Sequence, residues 1–253
     1  FDLDALVIQH AEDNELSKDG QVNDGIIATK LGLQGIPDYA EKIIIERDLT
    51  LLEDFNCRYH IAQISSEKSV EIIKNRKEIV KFTTGVSINN LSLNQNDIGD
   101  FRTFLKLSPP LRTEEDRLSL IKGINQNLID VIVSDHKPED EESKRLTFSQ
   151  AATGASGIET LLPLALELFH NGSIKLNKII ECLTCNPAKI LKINKGNLSV
   201  GSDADLCIVD IYKPWVVKKE KMISKSKNTC IEDKKLQGKV LNTFINGVEL
   251  FKC

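Results

Sequence analysis

The stretch IDVIVSDHKPE at 129–139 decides the fold: an apolar run stops at an Asp-His pair and passes into a polar loop marked by Pro138. Mostly β-branched residues in succession predict a strand over 129–134 that is buried on both faces, as in parallel sheets. Asp135 and His136 then stand at the C-terminal end of that strand, where (β/α) barrels place their chemistry. The alternative for Asp135 is a plain turn cap.

Three further strand-like segments precede this one, at 5–9, 59–64 and 80–88, each followed by a helical stretch. The helices are read from apolar spacing, with Ala40, Ile43, Ile44 and Leu51 before the second strand and Leu118, Ile121 and Ile124 before the fourth. Alternating β and α segments predict a parallel sheet with right-handed crossovers. Beyond Asp135 the pattern changes to two amphipathic helices, at 156–170 and 176–191, broken by Asn171-Gly172 and closed by Asn186-Pro187. Short strands follow at 204–210, 215–217 and 240–250, with Asn246-Gly247 as a hairpin turn signal. The expected class is therefore α/β, with a partial barrel over 1–195 and a small β module over 196–253. Four βα units do not close a barrel of eight, so the N-terminal half is expected to lie outside the chain. An opening residue of Phe1 rather than methionine fits a fragment, a processed product or an incompletely described protein.

With 253 residues and 41% hydrophobic content the chain has enough apolar material for a substantial core. No run approaches the roughly 18 apolar residues needed to cross a bilayer, and the start lacks a basic region followed by an apolar one. A cytoplasmic protein without a membrane partner is expected. A formal charge of −4 supplies no field for a polyanion, which argues against nucleic acid. The lysines between Lys213 and Lys227, with Lys234 and Lys235, alternate with acids and read as a solvated face. Six cysteines lie apart in apolar or helical contexts and are expected as free thiols. Cys182 and Cys185 form one C-x-x-C inside a helical pattern, with no second pair to complete a zinc ribbon.

Candidate chemistry collects at the predicted strand ends. His10 ends the first strand in QHAED, beside Glu12 and Asp13; His60 lies on the second, with Gln63 near its end; Asp135 and His136 end the fourth. Imidazole and carboxylate are ordinary zinc ligands, and an aspartate can also act as a base, so convergence on one rim would make a metal site. The competing readings are a satisfied imidazole at a helix start for His10, a packed core residue for His60 and a dipole cap at a helix end for His170.

Several motifs together resemble one family. HAED at His10, NDGIIATKLGLQGIPDYAE at 23–41, SPPLRTEEDR at 108–117, SDHKPEDEESKR at 134–145, GASGIET at 154–160, NPAKIL at 186–191 and GSDADLCIVD at 201–210 occur in order along the chain. They are similar to bacterial dihydroorotase of the multifunctional-complex type, in the amidohydrolase superfamily. NDIGDFRTF at 96–104 resembles a divergent, alphaproteobacterial-type branch. The resemblance implies the C-terminal half of a (β/α)8 TIM barrel, strands five to eight, plus the C-terminal part of a small β-sandwich. It implies reversible cyclisation of N-carbamoyl-L-aspartate to L-dihydroorotate in pyrimidine biosynthesis, with one or two zinc ions. By position, His10 matches a metal ligand and Asp135 the aspartate that binds metal and shuttles the proton. Ser108, Arg112, Glu139, Thr153 and Gly154 match positions near the substrate.

This chain departs from the family at several of those positions. Gln63 stands where the family has a second histidine ligand, and an amide oxygen binds zinc far more weakly than imidazole. Ser108 replaces a substrate-contacting asparagine, Glu139 replaces a histidine, and GVSINNL, with Gly85, Asn89 and Asn90, replaces E-V-x-x-H-H-L. Three functions stay open: a dihydroorotase with a weakened site; a non-catalytic scaffold that binds aspartate transcarbamoylase or an active dihydroorotase; and an amidohydrolase for another cyclic amide or imide. The protein partners expected are aspartate transcarbamoylase or further copies of the chain as a homo-oligomer.

Overall fold

The computed structural model describes residues 4–55 and 57–253, so Phe1 lies outside the described residues. Strand β1 (Leu6–Gln9) leads into a short parallel ladder of β2 (Val22–Asn23) and β3 (Gly35–Ile36), which brackets helix α1 (Ile26–Leu31). Helix α2 (Tyr39–Asp54) returns to β4 (Arg58–Ile61), α3 (Glu67–Arg76) to β5 (Thr83–Ser87), and α4 (Ile88–Ser92) with α5 (Glu114–Asn125) to β6 (Val131–Val133). The main sheet is parallel throughout, in the order β1-β4-β5-β6. Chain order and spatial order agree for these four strands, as expected for successive crossovers of one hand.

The helices form for local reasons and are held by burial. Ser66 caps α3 by accepting the Ser69 N–H, while Glu67 opens that helix and Lys74 and Arg76 close it, in the sense the helix dipole favours. Thr113 and Asp116 cap α5 reciprocally. Ile44, Ile45, Leu49, Ile73, Leu120 and Ile124 pack in one core with Ile61, Val86 and Ile132 of the sheet.

Differences from the sequence expectations have identifiable causes. The strand expected over 129–134 covers only Val131–Val133. Ile129 is buried before the strand begins, and Asp130 joins the sheet from a turn, its Oδ2 accepting from Thr84 N at 2.9 Å and Lys77 Nζ at 3.0 Å. The strand expected over 80–88 stops at Ser87, whose hydroxyl accepts from Asn89 N and starts α4, so Asn89 and Asn90 are helical. The second strand ends at Ile61, leaving Gln63 in the loop beyond it. The ladder of β2 and β3 was not anticipated, because two-residue strands show no periodicity.

After β6 come α6 (Glu141–Arg145), α7 (Ile158–His170), α8 (Leu176–Leu183) and α9 (Cys185–Leu191). The single helix expected over 176–191 breaks at Thr184, and Asn186-Pro187 begins a helix instead of closing one. Proline is tolerated there because N–H groups of a first helical turn have no partner within the helix. Cys182 is buried, Cys185 is half-buried, and both are free thiols.

The C-terminal module is an antiparallel sheet of β7 (Leu206–Val216), β8 (Lys235–Ile245) and β9 (Val248–Lys252), in that order. The strands expected at 204–210 and 215–217 are one strand, with irregular register between Asp210 and Pro214. Asn246 and Gly247, both at positive φ, turn the last hairpin as expected. The module packs on α7: the Cβ of any larger residue at Gly238 would fall 2.3 Å from Leu166 Cδ1, and Lys234 pairs with Glu167 at 2.7 Å. His170, in the last turn of α7 as expected, also joins this seam, since its Nε2–H donates to the Ile211 carbonyl at 2.9 Å. Among the described residues, no helix is long and apolar enough to cross a membrane.

Close approach of β4 and β5 near their C-terminal ends requires a residue without a side chain at Gly85. A Cβ there would lie 2.4 Å from the Ala62 carbonyl oxygen and 3.3 Å from His60 Nε2. Gly85→Ala is expected to lower stability by about 1–3 kcal/mol, read as a reduced urea midpoint with unchanged slope; an unchanged midpoint would contradict this packing.

Candidate active site

Parallel pairing sets the four C-terminal strand ends along one edge. Gln9 is in register with Ile61, and Ser87 with Val133, so His10, Gln63, the start of α4 and Asp135 all emerge on the same rim. Asp135 follows the strand at φ 48, a left-handed conformation that turns the chain sharply. Its Oδ1 accepts from Gln63 Nε2 at 3.0 Å and its Oδ2 from Ser87 Oγ at 3.4 Å. Burial raises the Asp135 pKa, while the hydrogen bonds from Gln63 and Ser87 and the charge of His10 oppose that rise.

His10 lies across the rim, with Nε2 3.3 Å from Ser108 Oγ and 3.6 Å from Glu12 Oε2. Its pKa is raised, first by the hydrogen bond with Glu12, against partial burial, and with help from the fields of Glu12, Glu41 and Asp135. Glu12 is lowered correspondingly by His10. The pair therefore stabilises the fold above the ordinary glutamate range and below the pH at which His10 loses its proton. His10 and Asp135 leave β1 and β6 at the same edge of the sheet, and each adds a small electrostatic contribution at the other.

The other expected site residues divide. Ser108 reaches the rim through His10, whereas Arg112 is 4% exposed and built into the wall. Arg112 Nε donates to Ser65 Oγ at 3.0 Å, and Nη1 donates to Asn23 Oδ1 at 2.8 Å and the Ile36 carbonyl at 2.6 Å. Behind Ser65 lies Glu41, 2% exposed, whose carboxylate accepts from Ser65 N at 3.0 Å, from Ser65 Oγ at 2.5 Å and from the Ser69 hydroxyl. Arg112 acts on the rim by its field, which helps lower Glu12. Thr153 is half-buried, and Gly154 is buried at φ 138, where a Cβ would lie 2.6 Å from the Lys137 carbonyl. Glu139 borders a cleft of about 800 Å³ with Phe104, Pro138, Lys225 and Lys227, beside the rim.

His60 is buried, with Nδ1 2.8 Å from Thr83 Oγ1, and burial lowers its pKa; it belongs to the sheet. His136 turns to α7, where its Nδ1 accepts from the N–H groups of Gly157 at 3.1 Å and Ile158 at 3.4 Å. Sequence reasoning missed Ser87, Glu41 and Ser65. Serines at strand ends carry no spacing signal, and Glu41 reads as a helical surface acid until the fold buries it.

A carboxylate and an imidazole at the C-terminal edge of a parallel βα sheet stand where (β/α) barrels place their chemistry. The amidohydrolase family model matches residues 1–250, and the chain belongs to that family. It is 43% identical to the dihydroorotase of Ehrlichia chaffeensis over 99% of this chain and 57% of that protein. With the dihydroorotase of Anaplasma phagocytophilum it shares 41% identity over 100% of this chain and 57% of the relative. Among solved structures, L-hydantoinase (dihydropyrimidinase) from Arthrobacter aurescens superposes with a TM-score of 0.85 at 26% identity, covering 98% of this chain and 57% of that one. Dihydropyrimidinase from Brevibacillus agri shares the fold at a TM-score of 0.87 and 22% identity, over 99% of this chain and 57% of its own. The chain thus spans somewhat over half the length of its relatives, in keeping with the second half of a TIM barrel and a separate small sheet.

Beneath the rim, Lys144 is 2% exposed and ties two loops together, donating to the carbonyls of Thr103 at 3.0 Å and Ala152 at 2.6 Å. Burial lowers its pKa to about 8. Between pH about 8 and the ordinary lysine range near 10.5, the unfolded chain holds this proton and the folded chain does not, so stability rises with pH there. Denaturation followed across that interval is expected to show the rise, and Lys144→Met to remove it; an identical slope in both proteins would refute the assignment.

Proposed function

We propose that this chain supplies the C-terminal part of the substrate site of a dihydroorotase-type cyclic amidohydrolase, interconverting N-carbamoyl-L-aspartate and L-dihydroorotate in pyrimidine synthesis in the cytoplasm. The observation that carries the proposal is that His10 and Asp135 emerge at the same C-terminal edge of the parallel sheet, in a chain 38–43% identical to curated dihydroorotases along nearly its whole length. Ring opening joins a water oxygen to the amide carbon and breaks the C–N bond, and the proton lost by water ends on the ring nitrogen. Closure is the reverse. Asp135 is placed to carry that proton, because burial brings its carboxylic acid and carboxylate forms closer in energy. Protonated His10, held by Glu12, offers positive charge and an N–H to a carboxylate or carbonyl of the substrate. Ser108 and Gln63 orient the two groups through their hydrogen bonds.

The family likeness implies zinc, and the donors on this chain do not by themselves fit it. Zinc centres use three or four protein ligands. Among the described residues no three His, Cys, Asp or Glu side chains converge, and Gln63 directs an amide N–H at Asp135 where a ligand is needed. His10 and Asp135 are two ligands of the right kind, so a zinc centre would draw the others from outside this chain.

The same Gln63 hydrogen bond favours a second reading, a non-catalytic subunit that keeps the fold to bind aspartate transcarbamoylase or an active dihydroorotase. Zinc content and dihydroorotate hydrolysis, followed by absorbance in the full-length protein, separate the two. Bound zinc with turnover is the expected outcome, and metal-free protein without turnover would overturn the enzymatic reading. If activity is weak, Gln63→His combined with Glu139→His raises it in a crippled enzyme and leaves a scaffold inert.

A further inference from the structure

A segment that neither the motifs nor the catalytic reading uses reaches back from the C-terminal module and is buried against the rim. Asn228, Thr229, Cys230 and Ile231 precede β8, and each is no more than 3% exposed. The Asn228 side chain enters between the two loops that carry the expected substrate residues. Its Nδ2 donates to the Gly154 carbonyl at 3.0 Å, and its Oδ1 accepts from Glu139 N at 3.4 Å and from Ser156 Oγ at 3.1 Å. The Asn228 carbonyl in turn accepts from Ser156 N at 3.1 Å. A fixed backbone N–H on one side and a fixed carbonyl on the other settle which way the amide points.

The contacts extend on both sides. Ser226 Oγ donates to the Glu139 carbonyl at 2.5 Å, and Glu159 in the first turn of α7 accepts from Ile223 N at 3.0 Å and Ser224 N at 2.9 Å. The loops themselves touch at one strand-like bridge, His136 with Ala155, and through Lys137 N donating to the Ala155 carbonyl at 2.9 Å. Gly154 cannot hold this conformation with a side chain, since a Cβ would strike the Lys137 backbone. His136 Nδ1 also accepts from Gly157 N at 3.1 Å, so the loops meet along their starts, while one buried amide satisfies groups farther along each, at Glu139 and at Gly154 and Ser156.

We propose that Asn228 is a positioning residue: it clamps the loop from Asp135 to Glu139 against the loop from Thr153 to Gly157 and so sets the shape of the ligand pocket from the C-terminal module. The proposal deepens the dihydroorotase reading, on which its ligand rests. Asn228→Asp keeps the size and the Oδ1 acceptor but turns an oxygen toward the Gly154 carbonyl, exchanging a bond for a repulsion.

Hydrogen exchange followed by mass spectrometry in the full-length protein tests the clamp without reference to activity. Asn228→Asp is expected to speed exchange about tenfold in both loops while leaving the core strands β4 and β5 unchanged. Dihydroorotate binding is expected to weaken about tenfold, seen as a higher Kd by calorimetry or, with turnover, as a higher KM at similar kcat. Ser156→Ala removes one hydroxyl and gives a smaller effect in the same direction, which keeps the test informative if the aspartate variant unfolds. Unchanged exchange in the two loops overturns the proposal, as does faster exchange with unchanged affinity. Wild-type protein that binds no dihydroorotate counts against the functional reading instead, and the exchange arm still decides the clamp.

Discussion

Parallel pairing of β1, β4, β5 and β6 is the constraint on which the site depends, because it sends every C-terminal strand end to the same edge. His10 and Asp135 are 125 positions apart in the chain, yet three strand-to-strand registers suffice to bring them to the same edge of the sheet. Gly85 lets β4 and β5 approach at the level of Ala62, just before Gln63. The positive φ at Asp135 turns the chain as it leaves β6, within reach of Gln63 and Ser87. Geometry of this kind costs little when it is built into the sheet, since the strands are ordered by burial and the side chains inherit their positions.

Behind the rim a polar network replaces part of the apolar core. Glu41 is almost fully buried and is satisfied by serine hydroxyls and a backbone N–H, while Arg112 joins Ser65, Asn23 and Ile36. Buried polar groups of this sort are stable only as a satisfied set. The network links α2, the ladder of β2 and β3, the turn after β4 and the loop after Ser108, so it braces the wall from which His10 and Glu12 project. Arg112 thereby shapes the site through its charge and its support of the wall.

The positions at which the resemblance implies other residues lie around those same fixed points. Gln63 turns an N–H to Asp135, Ser108 reaches His10, and Asn89 and Asn90 are buried at the start of α4. The parallel pairing of the main sheet runs on beside these side chains, although Asn89 Nδ2 and Asn90 Oδ1 are buried without a hydrogen-bond partner among the described residues. Glu139 is held by its backbone through Asn228 and Ser226, so its loop has a defined place whatever its side chain meets.

Much was legible in the chain itself. The period of apolar residues gave alternating strands and helices, Asn246-Gly247 gave the last hairpin, and a strand followed by Asp-His gave the position of Asp135. These signals are local, and local sterics and burial suffice to produce them. Tertiary structure alone decided that Arg112 belongs to the wall, that His170 bonds to the C-terminal module, that Asn186-Pro187 starts a helix and that Asn228 reaches the rim. In each of these cases the outcome depends on which distant backbone groups need a hydrogen-bond partner once water is excluded, and a chain read residue by residue holds no record of that.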